Sequence, residues 1–224
     1  DGVIIHLFKN MSAMRIEGNK VYVQAGALLS KVAVQAGRKG LTGMEFASGI
    51  PGTIGGALVM NAGAYGGEMK DVVRLVQVMC EDGSFREYTG AEMEFGYRTS
   101  RVLHEKSVAL EAVLELTPGD STAIQNRMEE LKEARTTKQP LNYASAGSTF
   151  KRPEGYFAGK LIQDAGLSGF SVGDAQVSEK HCGFVINRGE ATAADVAELI
   201  RKVQEQVYEK FQVKLEPEVR MLGF

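Results

Sequence analysis

Residues 48–67 read SGIPGTIGGALVMNAGAYGG and carry seven glycines between Gly49 and Gly67. Glycine at this density marks a backbone that turns tightly or passes close to a neighbour, because a residue without Cβ leaves room and reaches left-handed conformations. Two readings share that physics. One is a loop whose N–H groups face a phosphate or a cofactor ring; the other is a set of turns packing strands together. The spacing excludes two alternatives: it is neither GxxxxGK[ST] nor a strand–GxGxxG–helix unit, so no P-loop and no Rossmann fingerprint is present.

Working outward, the flanking sequence reads mostly as β. Residues 3–7 are an apolar run, 14–17 a short mixed strand, and 21–23 a strand after the turn at Gly18-Asn19. Residues 28–36 carry a helical pattern stopped by Gly37 and Gly40. Residues 72–79 and 85–88 flank the turn Glu81-Asp82-Gly83-Ser84 and form a hairpin, and 107–116 is a further strand. Residues 121–135 are helical, with Ile124, Met128 and Leu131 on one face. A short helix is expected over 156–165, a strand over 182–186, and a long helix opened by the capping box of Thr192 and Asp195. Its core positions are Val196, Leu199, Ile200, Val203, Val207 and Phe211, and 213–221 closes as a strand. The fold class is α+β, with a composition shift near 115–120 as the boundary between two lobes.

The bulk numbers bound the function. Among 224 residues, 26 basic against 28 acidic give a net charge of −2, which argues against broad attraction to nucleic acid or anionic membrane. No apolar run approaches the roughly 20 residues of a membrane span. Cys80 and Cys182 read as reduced thiols, and His6, His104 and His181 lack metal-ligand spacing, so no metal site is expected. The chain opens at Asp1 just before the apolar run Val3-Ile4-Ile5, so a preceding N-terminal piece is expected.

Three further segments carry candidate chemistry. Ser148, in SAGSTF, is a hydroxyl held for proton transfer or merely a turn cap; without a GxSxG elbow a nucleophile is not indicated. On a regular strand Lys214, Glu216, Glu218 and Arg220 share one face, either solvated or offering carboxylates for acid–base work. Tyr97-Arg98 presents a guanidinium fork suited to carboxylate or phosphate, or a surface arginine after a turn.

The strings GIPGTIGGALVMNAGAYG, FGYRTSR, KQPLNYASAGSTFKRPEGYFAGKLIQDAGLSG, AQVSEKHCGFVIN and LEPEVRMLG, in this order, closely resemble the UDP-N-acetylenolpyruvoylglucosamine reductases, in the shorter second type of that family. The resemblance implies the remainder of a vanillyl-alcohol-oxidase-like FAD-binding domain over residues 1–117, its N-terminal part with a GxGSNLL-type loop missing, and a substrate-binding α+β lobe over 118–224. It implies that NADPH reduces FAD, and that the flavin reduces the vinyl ether of UDP-N-acetylglucosamine enolpyruvate to give UDP-N-acetylmuramate for peptidoglycan. By resemblance Arg98 and Glu218, the latter protonated or acting through water, stabilise the developing enolate, and Ser148 donates the proton. The flavin positions are Gly52, Thr53, Ile54, Gly55, Gly56, Asn61, Ala62, Gly63 and Ala64, through backbone amides. The sugar-nucleotide positions are Tyr65, Tyr97, Arg152, Lys160, Gln176 and Asn187. A cytoplasmic monomer is expected; the alternative is a truncated, flavin-free lobe that binds the UDP-sugar without turnover.

Overall fold

A computed structural model describes residues 3–223. The chain divides into two compact units, one ending at residue 134 and one beginning at residue 135.

The first unit runs β1 (Met14–Glu17), β2 (Lys20–Gln24), α1 (Leu29–Arg38), β3 (Leu41–Thr42), α2 (Ile54–Val59), β4 (Gly63–Ala64), β5 (Gly67–Glu68), β6 (Val73–Met79), β7 (Phe85–Thr89), α3 (Arg101–His104), β8 (Val108–Glu115) and β9 (Thr117–Pro118), then enters α4 (Ser121–Lys138). Five of its strands form one antiparallel sheet in the order β1-β2-β8-β6-β7. Alternation sets its faces: Val21, Val23, Val76, Val78, Ala112 and Leu114 are buried on one side, while Tyr22, Gln24, Gln77 and Glu111 stay partly or fully exposed. The buried face is covered by α1, through Leu29, Val32, Ala33 and Ala36, and by α2, through Ile54, Ala57 and Leu58.

Gly37 does not stop α1, as the sequence suggested; the helix runs to Arg38, and Gly40 at φ +71° follows its end. Gly37 instead makes room for α4, since a Cβ there would lie 2.9 Å from Ile124 Cγ2. That contact explains the division of the chain. Ile124 and Met128 belong to the first core, so the boundary expected at 117/118 falls at 134/135, near the C-terminal end of α4.

The second unit adds β10 (Ala144–Ser148), α5 (Ala158–Asp164), β11 (Ser171–Val172), β12 (Ala175–Val177), β13 (Phe184–Asn187) and α6 (Ala193–Phe211). Its antiparallel sheet has the order β10-β13-β12-β11. A separate core joins Leu161 and Ile162 of α5 with Leu199, Ile200, Val203 and Val207 of α6. The Thr192 hydroxyl accepts from Asp195 N–H at 3.1 Å, and the Asp195 carboxylate accepts from Thr192 N–H at 2.8 Å, completing the capping box.

Two expected strands differ. Residues 3–7 form no strand, and Val3, Ile4 and Ile5 are 90%, 85% and 80% exposed. Residues 213–221 make only one bridge, Phe150 opposite Pro217. Its two bonds run from Lys151 N–H to Glu216 O and from Glu218 N–H to Thr149 O, so the missing N–H of Pro217 costs the pairing nothing.

Candidate active site

The glycine-rich segment holds a short helix, α2, that its glycines concealed. Thr53 caps it, accepting from Gly56 N–H at 3.4 Å. Added Cβ atoms sort the glycines. At Gly55 one would lie 3.1 Å from Ala25 Cβ, at Gly63 2.8 Å from Glu68 Cβ, and at Gly67 2.6 Å from Phe46 Cδ1, so these three serve packing. At Gly52 and Gly66 it would meet nothing within 4 Å, and at Gly56 only Thr53 Oγ1 at 3.9 Å. Around these, a flat ring or a phosphate can approach the main chain. The residues present therefore fit a flavin.

The backbone amides are a different matter. Ile54 N–H donates to Ala27 O, Gly55 N–H to Ala25 O, Gly56 N–H to Thr53 Oγ1, and Ala62 N–H to Ala57 O. At these four positions the fold consumes the amides, and close van der Waals approach is what they offer.

Arg98 sits in a tight reversal. Gly96 and Thr99 form an antiparallel bridge, which leaves Tyr97 and Arg98 at its tip, and Arg98 adopts φ +56°. The Arg98 guanidinium lies 5.0 Å from the Tyr97 ring centre. Several bonds hold this turn. The buried Ser100 hydroxyl donates to Val59 O at 2.9 Å, Thr99 Oγ1 lies 2.7 Å from His104 Nε2, and Asn61 Nδ2 donates to Gly96 O at 3.1 Å. Asn61 is 1% exposed, so its side chain faces protein and not a cofactor.

In the second unit, Ser148 ends β10 opposite Phe184, next to a register shift that begins at Ser145. The neighbouring Thr149 is buried; its N–H donates to Gly183 O at 2.8 Å and its hydroxyl accepts from Val185 N–H at 2.9 Å. Glu218 N–H donates to Thr149 O at 2.8 Å. Ser148 and Glu218 therefore lie on adjacent extended segments. The structure also separates two carboxylates that periodicity left equal: Glu216 is ion-paired with Lys151 and exposed, whereas Glu218 is half-buried.

The expected sugar-nucleotide residues differ in availability. Arg152 stacks its guanidinium 4.0 Å from the Phe157 ring centre, and Lys160 pairs with Asp164 one turn along α5. Gln176 is committed at both ends, donating to Gly169 O and accepting from Arg188, while Asn187 Oδ1 accepts from Gly189 and Ala191 N–H. Tyr65, at φ +53°, is exposed. His181, read as structural, is exposed, and its Nδ1 accepts from Gly183 N–H at 3.1 Å. Among the described residues no cluster of His, Cys, Asp and Glu could hold a metal ion, and no helix is long and apolar enough to cross a membrane.

Comparison with known proteins agrees with this arrangement. A family model described as an FAD binding domain matches residues 1–89, and one described as the C-terminal domain of UDP-N-acetylenolpyruvoylglucosamine reductase matches residues 139–222. The UDP-N-acetylenolpyruvoylglucosamine reductase of Clostridioides difficile is 54% identical over 99% of this chain, which spans 73% of that protein. That of Agathobacter rectalis is 60% identical over 89% of the chain, which spans 63% of it. Among solved structures, the crystal structure of the Thermus caldophilus enzyme aligns with a TM-score of 0.79 at 41% identity, covering 89% of this chain and 71% of that one. The chain therefore belongs to the UDP-N-acetylenolpyruvoylglucosamine reductase family, on an FAD-binding α+β fold.

Proposed function

We propose that this chain carries the substrate-reducing machinery of a reductase that converts UDP-N-acetylglucosamine enolpyruvate to UDP-N-acetylmuramate, with NADPH as electron source, in peptidoglycan synthesis. Bound FAD supplies the hydride for the terminal vinyl carbon. Charge then develops at the α-carbon and spreads into the adjoining carboxylate, and fixed donors stabilise it without reorganising. Arg98 takes that role with its guanidinium, and Glu218 either as a protonated carboxyl that donates a hydrogen bond or by holding a water that does. Ser148 Oγ gives its proton to the α-carbon; a hydroxyl is a weak acid, but the enolate carbon is a strong base.

Gly52, Thr53 and Gly56, with Ala64 further on, form the floor against which the flavin lies, shaped by the packing of Ile54, Gly55, Ala62 and Gly63. Arg152 and Lys160 provide cationic heads for the diphosphate, with Tyr65 and Tyr97 against the sugar nucleotide; Gln176 and Asn187 shape the loops around it. The flavin-free alternative is not favoured, since the FAD-binding family model matches this chain.

The observation that carries the reading is the Phe150–Pro217 bridge, which sets Ser148 and Glu218, far apart in sequence, on neighbouring segments. Stopped-flow kinetics of the two half-reactions test it. Ser148→Ala is expected to slow substrate reduction roughly 10²–10⁴-fold while flavin reduction by NADPH is unchanged. Equal loss in both steps would remove the proton-donor role.

A further inference from the structure

We propose that Asn61 is a positioning residue for Arg98, fastening the turn that carries the guanidinium to the end of the glycine-rich segment's helix. This rests on the reading of Arg98 given above. A buried carboxamide is costly unless both its ends are satisfied, and Asn61 satisfies both with partners on two other stretches of chain. Nδ2 donates to Glu68 Oε2 at 2.6 Å and to Gly96 O at 3.1 Å, and Oδ1 accepts from Lys70 N–H at 2.9 Å. Gly96 O belongs to the residue that closes the Gly96–Thr99 bridge, so the Asn61 amide grips the base of the two-residue tip carrying Arg98. Glu68 is itself fixed, with its N–H bonded to Asp71 and its carboxylate paired with Lys70.

The residue type follows from two demands met at once. Asn61 has φ +42°, a left-handed backbone that asparagine tolerates better than most residues, and its side chain must both donate and accept. Aspartate meets the first demand but, ionised, can only accept. Leucine fills the volume and meets neither. Arg98 also stands in the left-handed region, at φ +56°, a conformation that persists only when its surroundings hold it. The Asn61 bond and the Ser100–Val59 bond are two such holds, and both anchor in the stretch that closes α2.

The role predicts a division of effects that a merely structural residue does not produce. In the FAD-loaded protein, Asn61→Asp is expected to keep flavin content, visible spectrum and flavin reduction by NADPH, while substrate reduction falls on the order of ten- to a hundredfold, mainly in kcat, as a misplaced guanidinium requires. Lowering the pH protonates the new carboxyl, which faces the Glu68 carboxylate and Lys70 N–H, restores a donor toward Gly96 O, and recovers part of the rate. Ser100→Ala, which cuts the second hold, is expected to show the same split more weakly and serves if Asn61→Asp does not fold. Arg98→Ala, measured alongside, separates the two levels. If it slows substrate reduction and the other variants do not, or if they slow both half-reactions alike, the positioning role is overturned. Unimpaired substrate reduction in Arg98→Ala overturns the reading of Arg98 and this role with it.

Discussion

Gly56 and Gly63 lie in one segment and demand glycine for opposite reasons. A Cβ at Gly63 strikes Gly67 O at 2.9 Å as well as Glu68, whereas at Gly56 it has space. Gly56→Ala is therefore expected to leave the apo-protein as stable as before, or more so by about 0.5–1 kcal/mol because alanine suits a helix, yet to weaken FAD binding measurably in a titration. Unchanged FAD affinity would remove the flavin from this surface. Gly63→Ala is expected to lower stability by about 1–3 kcal/mol through overpacking. At the carboxylates, Glu218→Ala is expected to slow substrate reduction by roughly 10²-fold, while Glu216→Ala leaves it within a few fold, since Glu216 is occupied by Lys151; the reverse order would reassign the role. Residue types and motif order were legible in the sequence. The roles of Asn61 and Glu216 were not, because each depends on a partner distant along the chain.

Elements were legible where local chemistry decided them. The capping box, the apolar stripe of α6 and the Gly83 hairpin all appear in the structure. What failed was tertiary: α2 hides in glycines because packing on the sheet, not propensity, makes it helical, and residues 213–221 lack the neighbours to become a strand. Thr192→Ala is expected to cost about 1 kcal/mol in chemical denaturation. Acid should weaken α6 further. Hydrogen bonds from Thr192 hold the Asp195 carboxyl below its usual range, and the Arg201 guanidinium holds Glu198 at about 2. Carboxyls depressed in the folded state stabilise it above their unfolded pKa and lose that contribution as pH falls through the folded one. Helicity followed by circular dichroism should therefore fall between about pH 4.5 and 2, and Glu198→Gln should flatten that slope.

At the scale of the whole molecule, each unit has its own hydrophobic core, which predicts two separable unfolding transitions. Leu199 is fully buried in the second, and Leu199→Ala is expected to cost about 2–5 kcal/mol there. Calorimetry should show one transition lowered and the other in place, with Leu114→Ala doing the converse; a single transition shifting with both would contradict independent cores. The lobe boundary was misjudged in the sequence because Pro118-Gly119 ends a strand conspicuously, while the packing of α4 on Gly37 leaves no local trace.

The order β1-β2-β8-β6-β7 has a cost in time. β2 bonds along one side to β1 and along the other only to β8, and the Gln24–Glu111 contact between them spans 87 positions. At about 5–20 residues per second on the ribosome, β2 waits roughly 4–17 seconds with a bare edge before its partner emerges. Through that interval the nascent chain presents an unpaired strand edge, a template open to any passing strand.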